Sequence, residues 1–164
     1  MDLGEEKMTA RVARLCNLFL TGALTGNEFG GFVGFHPALY RLPTEAHASA
    51  EREITARFGK IMPPFMIASI LSFVPALSLA RDRRSFRFTL TGMICYVAML
   101  AVTFAGNMPA NRRTLDLNPR IVPSEEFLAL RRRWDGFHAV RNFLNATGFV
   151  FAILGALSEA RRGA

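Results

Sequence analysis

The chain has 164 residues, a formal net charge of +7 and 51% hydrophobic residues, and its 20% of charged residues gather between long apolar stretches. That length suits one domain, yet four long apolar runs would overfill a soluble core of this size. With no zinc-finger spacing, no basic stripe carrying aromatic platforms and no glycine-rich phosphate loop, the positive charge does not point to nucleic acid.

Uncharged runs cover residues 61–80, 88–106 and 142–158, and a fourth, 15–35, is interrupted only by Glu28. Each is near the ~20 residues that a helix needs to cross a ~30 Å hydrocarbon layer. The expected fold is all-α: a single integral membrane domain with a four-transmembrane-helix bundle over about 12–35, 61–80, 88–108 and 138–158, and an additional interfacial helix.

The first run follows Lys7, Arg11 and Arg14. It exceeds the 7–15 residues of a signal-peptide core and holds Asn27 and Glu28, so it reads as a retained helix. Gly22, Gly26 and Gly30 recur every fourth residue, a spacing that permits close helix contact in a membrane. Cys16 and Cys95 fall inside apolar runs and read as small hydrophobes. His36-Pro37 is expected to close the first segment. Residues 45–60 carry Ala46, Ala50, Ile54 and Phe58 on one side and Glu51, Arg52 and Arg57 on the other, the pattern of the interfacial helix.

Pro63 and Pro64 are expected to open the second span, where missing amide donors cost little. Arg81-Asp82-Arg83-Arg84 makes a tight turn into the third, which is expected to end at Gly106-Asn107-Met108-Pro109. Ser124, with Glu125 and Glu126 behind it, starts a helix that continues into the fourth span. The dense Arg of residues 81–87 favours a cytoplasmic turn, and therefore both termini inside, in a bacterial-type plasma membrane. Basic loops meeting membrane lipids account for the net charge.

Antiparallel threading puts the end of the first span, the end of the third and the start of the fourth at one membrane face, and the polar residues gather there. Asn27 and Glu28 lie near the end of the first, and Asn107 and Asn111 leave the third. Trp134, His138, Arg141 and Asn145 share a face of the fourth. A charge left in lipid costs a few kcal/mol, so Glu28 is expected to meet Arg141, His138, Asn107 or Asn145 inside the bundle, around a polar pocket. The bland alternative is a buried polar clamp, with Glu28 and Arg141 as its ionic tie.

Three short motifs in this order resemble a known family of four-span membrane proteins: Gly30-Gly31 with His36-Pro37, Asn107-Met108-Pro109-Ala110-Asn111, and Trp134-Asp135-Gly136-Phe137-His138-Ala139-Val140-Arg141. The family is DUF1772, which includes anthrone oxygenases, and the similarity runs over about 12–158. It implies oxidation of a hydrophobic aromatic, enolisable substrate by dioxygen without flavin or haem, and it implies importance for Asn107, Asn111, Trp134, His138 and Arg141. In that chemistry His138 would accept the substrate proton, Arg141 and the Asn107 or Asn111 amide would stabilise the enolate oxygen, and Trp134 would stack on the rings, with Asn27 and Asn145 bordering the substrate. Glu28 would orient His138 or balance Arg141. No cofactor is expected; the alternative is iron, copper or zinc held by Glu28, His36 and His138. Competing functions are a non-catalytic subunit of a larger membrane complex, a lipid- or quinone-binding protein, and a small transporter acting as a homo-oligomer.

Overall fold

The structure, a computed structural model, describes residues 3–160. These form an all-α bundle of four long helices. The first runs Leu3–Gly30 and continues through a π-helical turn, Gly31–Phe35, into a short helix, His36–Leu39. The second runs Thr44–Leu71 and is followed directly by Phe73–Ser78. The third runs Arg83–Val102 and passes through a second π-helical turn, Thr103–Asn107, into a shorter helix, Met108–Asp116. The fourth is unbroken over Ser124–Ala160. Three of the four, Thr44–Ser78, Arg83–Asp116 and Ser124–Glu159, are long and apolar enough to cross a membrane.

The prolines expected to end helices do not end them. A proline lacks the N–H of the i→i−4 ladder, and its ring crowds the carbonyl four residues back. Before Pro37 and Pro109 the chain widens instead: His36 N–H bonds Gly31 O and Met108 N–H bonds Thr103 O, each across five residues. The helix therefore passes His36-Pro37 and Met108-Pro109. Pro63 and Pro64 likewise stand inside the second helix.

Residues 45–60 form the first turns of that second helix, and the face they bury differs from the expected one. His47, Ala48, Glu51 and Thr55 are buried, whereas Ala46 and Phe58 are exposed. The buried stripe continues that of Met66, Ser69 and Phe73, so the span's own register decides the face.

Leu24, Met66, Phe73, Tyr96, Met99 and Ala152 make the core, with every long helix represented. Tyr96 donates its hydroxyl to Thr21 O at 2.9 Å and lies 2.7 Å from Thr25 Oγ1, so the third helix is pinned to the first by a satisfied buried phenol. Leu15, Phe19, Ile94 and Phe143 face outward and are well exposed, the apolar exterior that lipid would cover. Cys16 and Cys95 are both free.

Ion pairs fix the threading. Arg81 reaches Glu6 at 3.0 Å and Arg14 reaches Glu159 at 3.2 Å, which joins the start of the first helix, the 80–83 turn and the end of the fourth at one end of the bundle. At the opposite end Thr44 and Ser124 hydroxyls lie 2.9 Å apart. The polar residues converge at this second end.

Candidate functional site

Two carboxylates organise the site. Glu28, on the last turns of the first helix, is 4% exposed and forms an ion pair with Arg141 of the fourth helix. His138, one turn before Arg141, places Nε2 at 3.1 Å from Glu28 Oε2. The expected pairing of Glu28 with Arg141 and His138 is thus what the bundle adopts.

Glu51 is the second carboxylate, and the sequence pattern had placed it on the polar exterior. It is 1% exposed, and its Oε1 lies 2.9 Å from His36 Nδ1, 3.0 Å from Arg131 Nη2 and 3.5 Å from His47 Nε2. Arg131 is fully buried; its guanidinium covers the Trp134 ring at 4.4 Å and approaches Asp135 at 3.6 Å. Asp135 in turn accepts the hydroxyl of Tyr40. Burial, and then the Asp135 carboxylate, push the Tyr40 hydroxyl's pKa up, so Tyr40 stays the donor of that bond.

Aromatic rings join the two clusters. Trp134 stands 4.6 Å from the His36 ring and 4.5 Å from the His138 ring, centroid to centroid. The two imidazoles meet edge to face at 5.4 Å. Both border Gly31, where an added Cβ would come within 3.5 Å of His138 Cε1 and 3.8 Å of His36 Nε2.

Glu28, His36, Glu51, Trp134, His138 and Arg141 line one side of a cavity of about 600 Å³, within the range that holds a drug-sized ligand. Much of the rest of the wall is apolar, with Phe58 and Met62 from the second helix and Leu100, Phe104 and Leu115 from the third, and Thr55, Thr103 and Arg112 also reach it. Phe58, Phe104 and Leu115 are themselves exposed, so the apolar wall is accessible between those two helices.

The anthrone oxygenase family model matches residues 53–151, more than half of the chain and most of the second, third and fourth helices. The chain belongs to the anthrone oxygenase family. No curated protein and no solved structure matches it. The matched region holds Asn107, Asn111, Trp134, His138 and Arg141, while Gly30-Gly31, His36-Pro37, Glu28 and Glu51 of this anthrone oxygenase family member lie before it.

Around the cavity the eight residues singled out from sequence divide into two groups. Asn27, Glu28, Asn111, Trp134, His138 and Arg141 line it. Asn27 donates to Met62 Sδ at 3.6 Å, and Asn111 accepts the Trp134 indole N–H at 2.7 Å, which fixes the ring and leaves the Asn111 NH₂ for a ligand. Asn107 and Asn145 are fully buried and do not line the cavity. Asn107 donates to Trp134 O at 3.1 Å, tying the third helix to the fourth, and Asn145 lies one turn deeper than Arg141. His36 lines the cavity, but Glu28, His36 and His138 do not form a ligand set: among the described residues no group of three His, Cys, Asp or Glu side chains is arranged to hold a metal ion.

Sequence reasoning missed Glu51 and Arg131. Arg131 lies three residues before Trp134 and seven before His138, on the same helical stripe, which was the available signal. Glu51 carried none, because it was assigned to a separate helix with its own face.

Proposed function

We propose that this chain is a membrane-embedded oxygenase that oxidises a hydrophobic, enolisable aromatic ketone of the anthrone type with dioxygen. The observation that carries the reading is the His138 imidazole, set against the buried Glu28 carboxylate and lining a cavity of about 600 Å³ whose wall between the second and third helices is largely apolar. A flat tricyclic aromatic is apolar on both faces and polar at one edge, the distribution this cavity offers.

His138 accepts a proton from the acidic carbon flanked by the rings. Its Nε2–H faces Glu28, which stabilises the imidazolium that forms. The enolate oxygen meets the Asn111 amide and the positive edge supplied by Arg141, while Trp134 stacks on a ring. The electron-rich carbanion then passes one electron to dioxygen, and the two radicals combine to form the carbon–oxygen bond. Dioxygen and substrate are both soluble in lipid, and the apolar wall between the second and third helices is the route by which they reach the site. The first helix, which brings Glu28 and His36, crosses the membrane with the other three.

Purified chain in detergent is expected to accelerate oxygen uptake in the presence of an anthrone. His138→Ala is expected to lose roughly 100-fold or more of that rate, the scale of one general base. Equal rates for the two proteins would remove His138 from the mechanism. Saturable anthrone binding with no oxygen uptake by either would favour a non-catalytic binding protein.

A further inference from the structure

We infer that His36, backed by Glu51, is a second acid–base group of the same cavity, and that it protonates the oxygen that departs as water when the quinone forms. The inference rests on the oxygenase reading above and assigns the later half of that reaction.

The Glu51 cluster contains the same three kinds of group as the Glu28 cluster, with His47 as a second imidazole at 3.5 Å from Glu51. Each has a carboxylate buried to within a few per cent of complete, an imidazole against it, and a guanidinium neutralising the same carboxylate: His138 and Arg141 at Glu28, His36 and Arg131 at Glu51. His36 Nδ1 is taken by Glu51 at 2.9 Å, whereas Nε2 has no partner among the described residues and lies on the side of Gly31, where the His138 ring also converges. His36 and Glu51 both line the cavity. With Nδ1 fixed to a carboxylate, Nε2 is the atom that exchanges a proton with whatever the cavity holds.

The chemistry needs such a group. In the first half of the reaction one C–H proton goes to His138, dioxygen adds to the carbon, and the resulting peroxide takes a proton back to become a hydroperoxide. In the second half the remaining C–H bond and the O–O bond break together. The C–H electron pair becomes the second bond of the new carbonyl, the O–O pair leaves with the distal oxygen, and that oxygen takes a proton to become water. The sum is one CH₂ and one dioxygen giving one C=O and one water. This step needs a base at carbon and an acid at oxygen at the same moment, and one imidazole cannot be in both states. His138 takes the carbon-bound proton while His36 donates to the departing oxygen. The ring that has gained a proton and the ring that has lost one stand 5.4 Å apart, a gap the product water bridges to restore both.

The test follows oxygen consumption, hydroperoxide and quinone separately in a single turnover of the purified chain with an anthrone. In the unaltered protein oxygen uptake and quinone formation are expected to keep step. His36→Gln is expected to slow quinone formation roughly 100-fold more than oxygen uptake, with hydroperoxide accumulating, whereas His138→Gln slows both together. Glu51→Gln, acting by position, is expected to give the same split at an unchanged KM. Equal slowing of both signals in His36→Gln, or slowing of neither, would overturn the inference while leaving the oxygenase reading intact. Loss of cooperative unfolding in both the His36 and Glu51 variants would make the pair a structural tie and overturn it as well. An unaltered protein that consumes no oxygen would sink the oxygenase reading and this one with it.

Discussion

Glu28 and Arg141 are the residues whose placement the bilayer dictates most strongly. A carboxylate and a guanidinium at membrane depth each carry a cost of a few kcal/mol unless their charges meet. Glu28→Ala would leave the Arg141 guanidinium buried, 6% exposed, without its carboxylate. Breaking a buried pair from one side typically costs about 3–5 kcal/mol, and replacing both partners costs far less. Thermal unfolding in detergent should therefore show a large fall in midpoint for Glu28→Ala, and a double variant, Glu28→Gln with Arg141→Gln, should recover most of it. A double variant no more stable than the single would argue that the two side chains act independently. This pair was legible in the sequence because each charge interrupts an apolar run. Glu51 and Arg131 make a pair of the same kind, yet they sit in polar stretches where a charge is unremarkable, so only the three-dimensional course of the helices reveals that both are buried.

Helix contacts follow small residues, though different ones from those the spacing suggested. Gly26 and Gly30 have open space where a side chain would go, and Gly22 faces the Phe149 ring. The close crossing lies instead between the third and fourth helices. A Cβ at Gly92 would stand 2.9 Å from Gly148 O, and one at Gly148 would stand 2.8 Å from the Tyr96 ring. Gly92→Ala must push two backbones apart, so it is expected to destabilise by about 1–3 kcal/mol, as overpacking does. Gly26→Ala meets nothing and is expected to be neutral or slightly stabilising, since alanine is the better helix former. Comparing the unfolding midpoints of the two variants decides the matter, and a Gly26 variant as damaged as the Gly92 one would restore the first-helix stripe as a contact face. The number and type of long elements were readable from apolar run length, as was the shared face of Trp134, His138, Arg141 and Asn145. The ends were not. Pro37, Pro63, Pro64 and Pro109 read as boundaries because proline lacks a donor, but the chain passes two of them by widening into a π turn. Those turns carry the helix on past His36 and Asn107, with His36 beside the cavity and Asn107 against the fourth helix.

At the scale of the whole molecule, the question is whether all four helices cross the bilayer. Three are long and apolar enough to do so, and the first has Asn17, Thr21, Thr25, Asn27 and Glu28 turned toward its neighbours or the cavity. Its outward face nonetheless carries Leu15, Phe19 and Phe29, all well exposed, as a lipid-facing surface requires. The ion pairs Arg81–Glu6 and Arg14–Glu159 set its start beside the turn between the second and third helices, while Tyr40 and Asp135 set its far end beside the start of the fourth. If the other three helices span, these ties leave the first no course except across the same layer. Single cysteines placed in a Cys16→Ala, Cys95→Ala background, at Glu5, Leu42 and Ile121, would report this in sealed vesicles with a membrane-impermeant maleimide. Leu42 and Ile121 should label from one side and Glu5 from the other, with the dense Arg of residues 81–87 predicting that Glu5 is on the cytoplasmic side. Labelling of all three from the same side would mean that the first helix does not cross, and Glu28 and His36 would then need another account of how they reach the cavity.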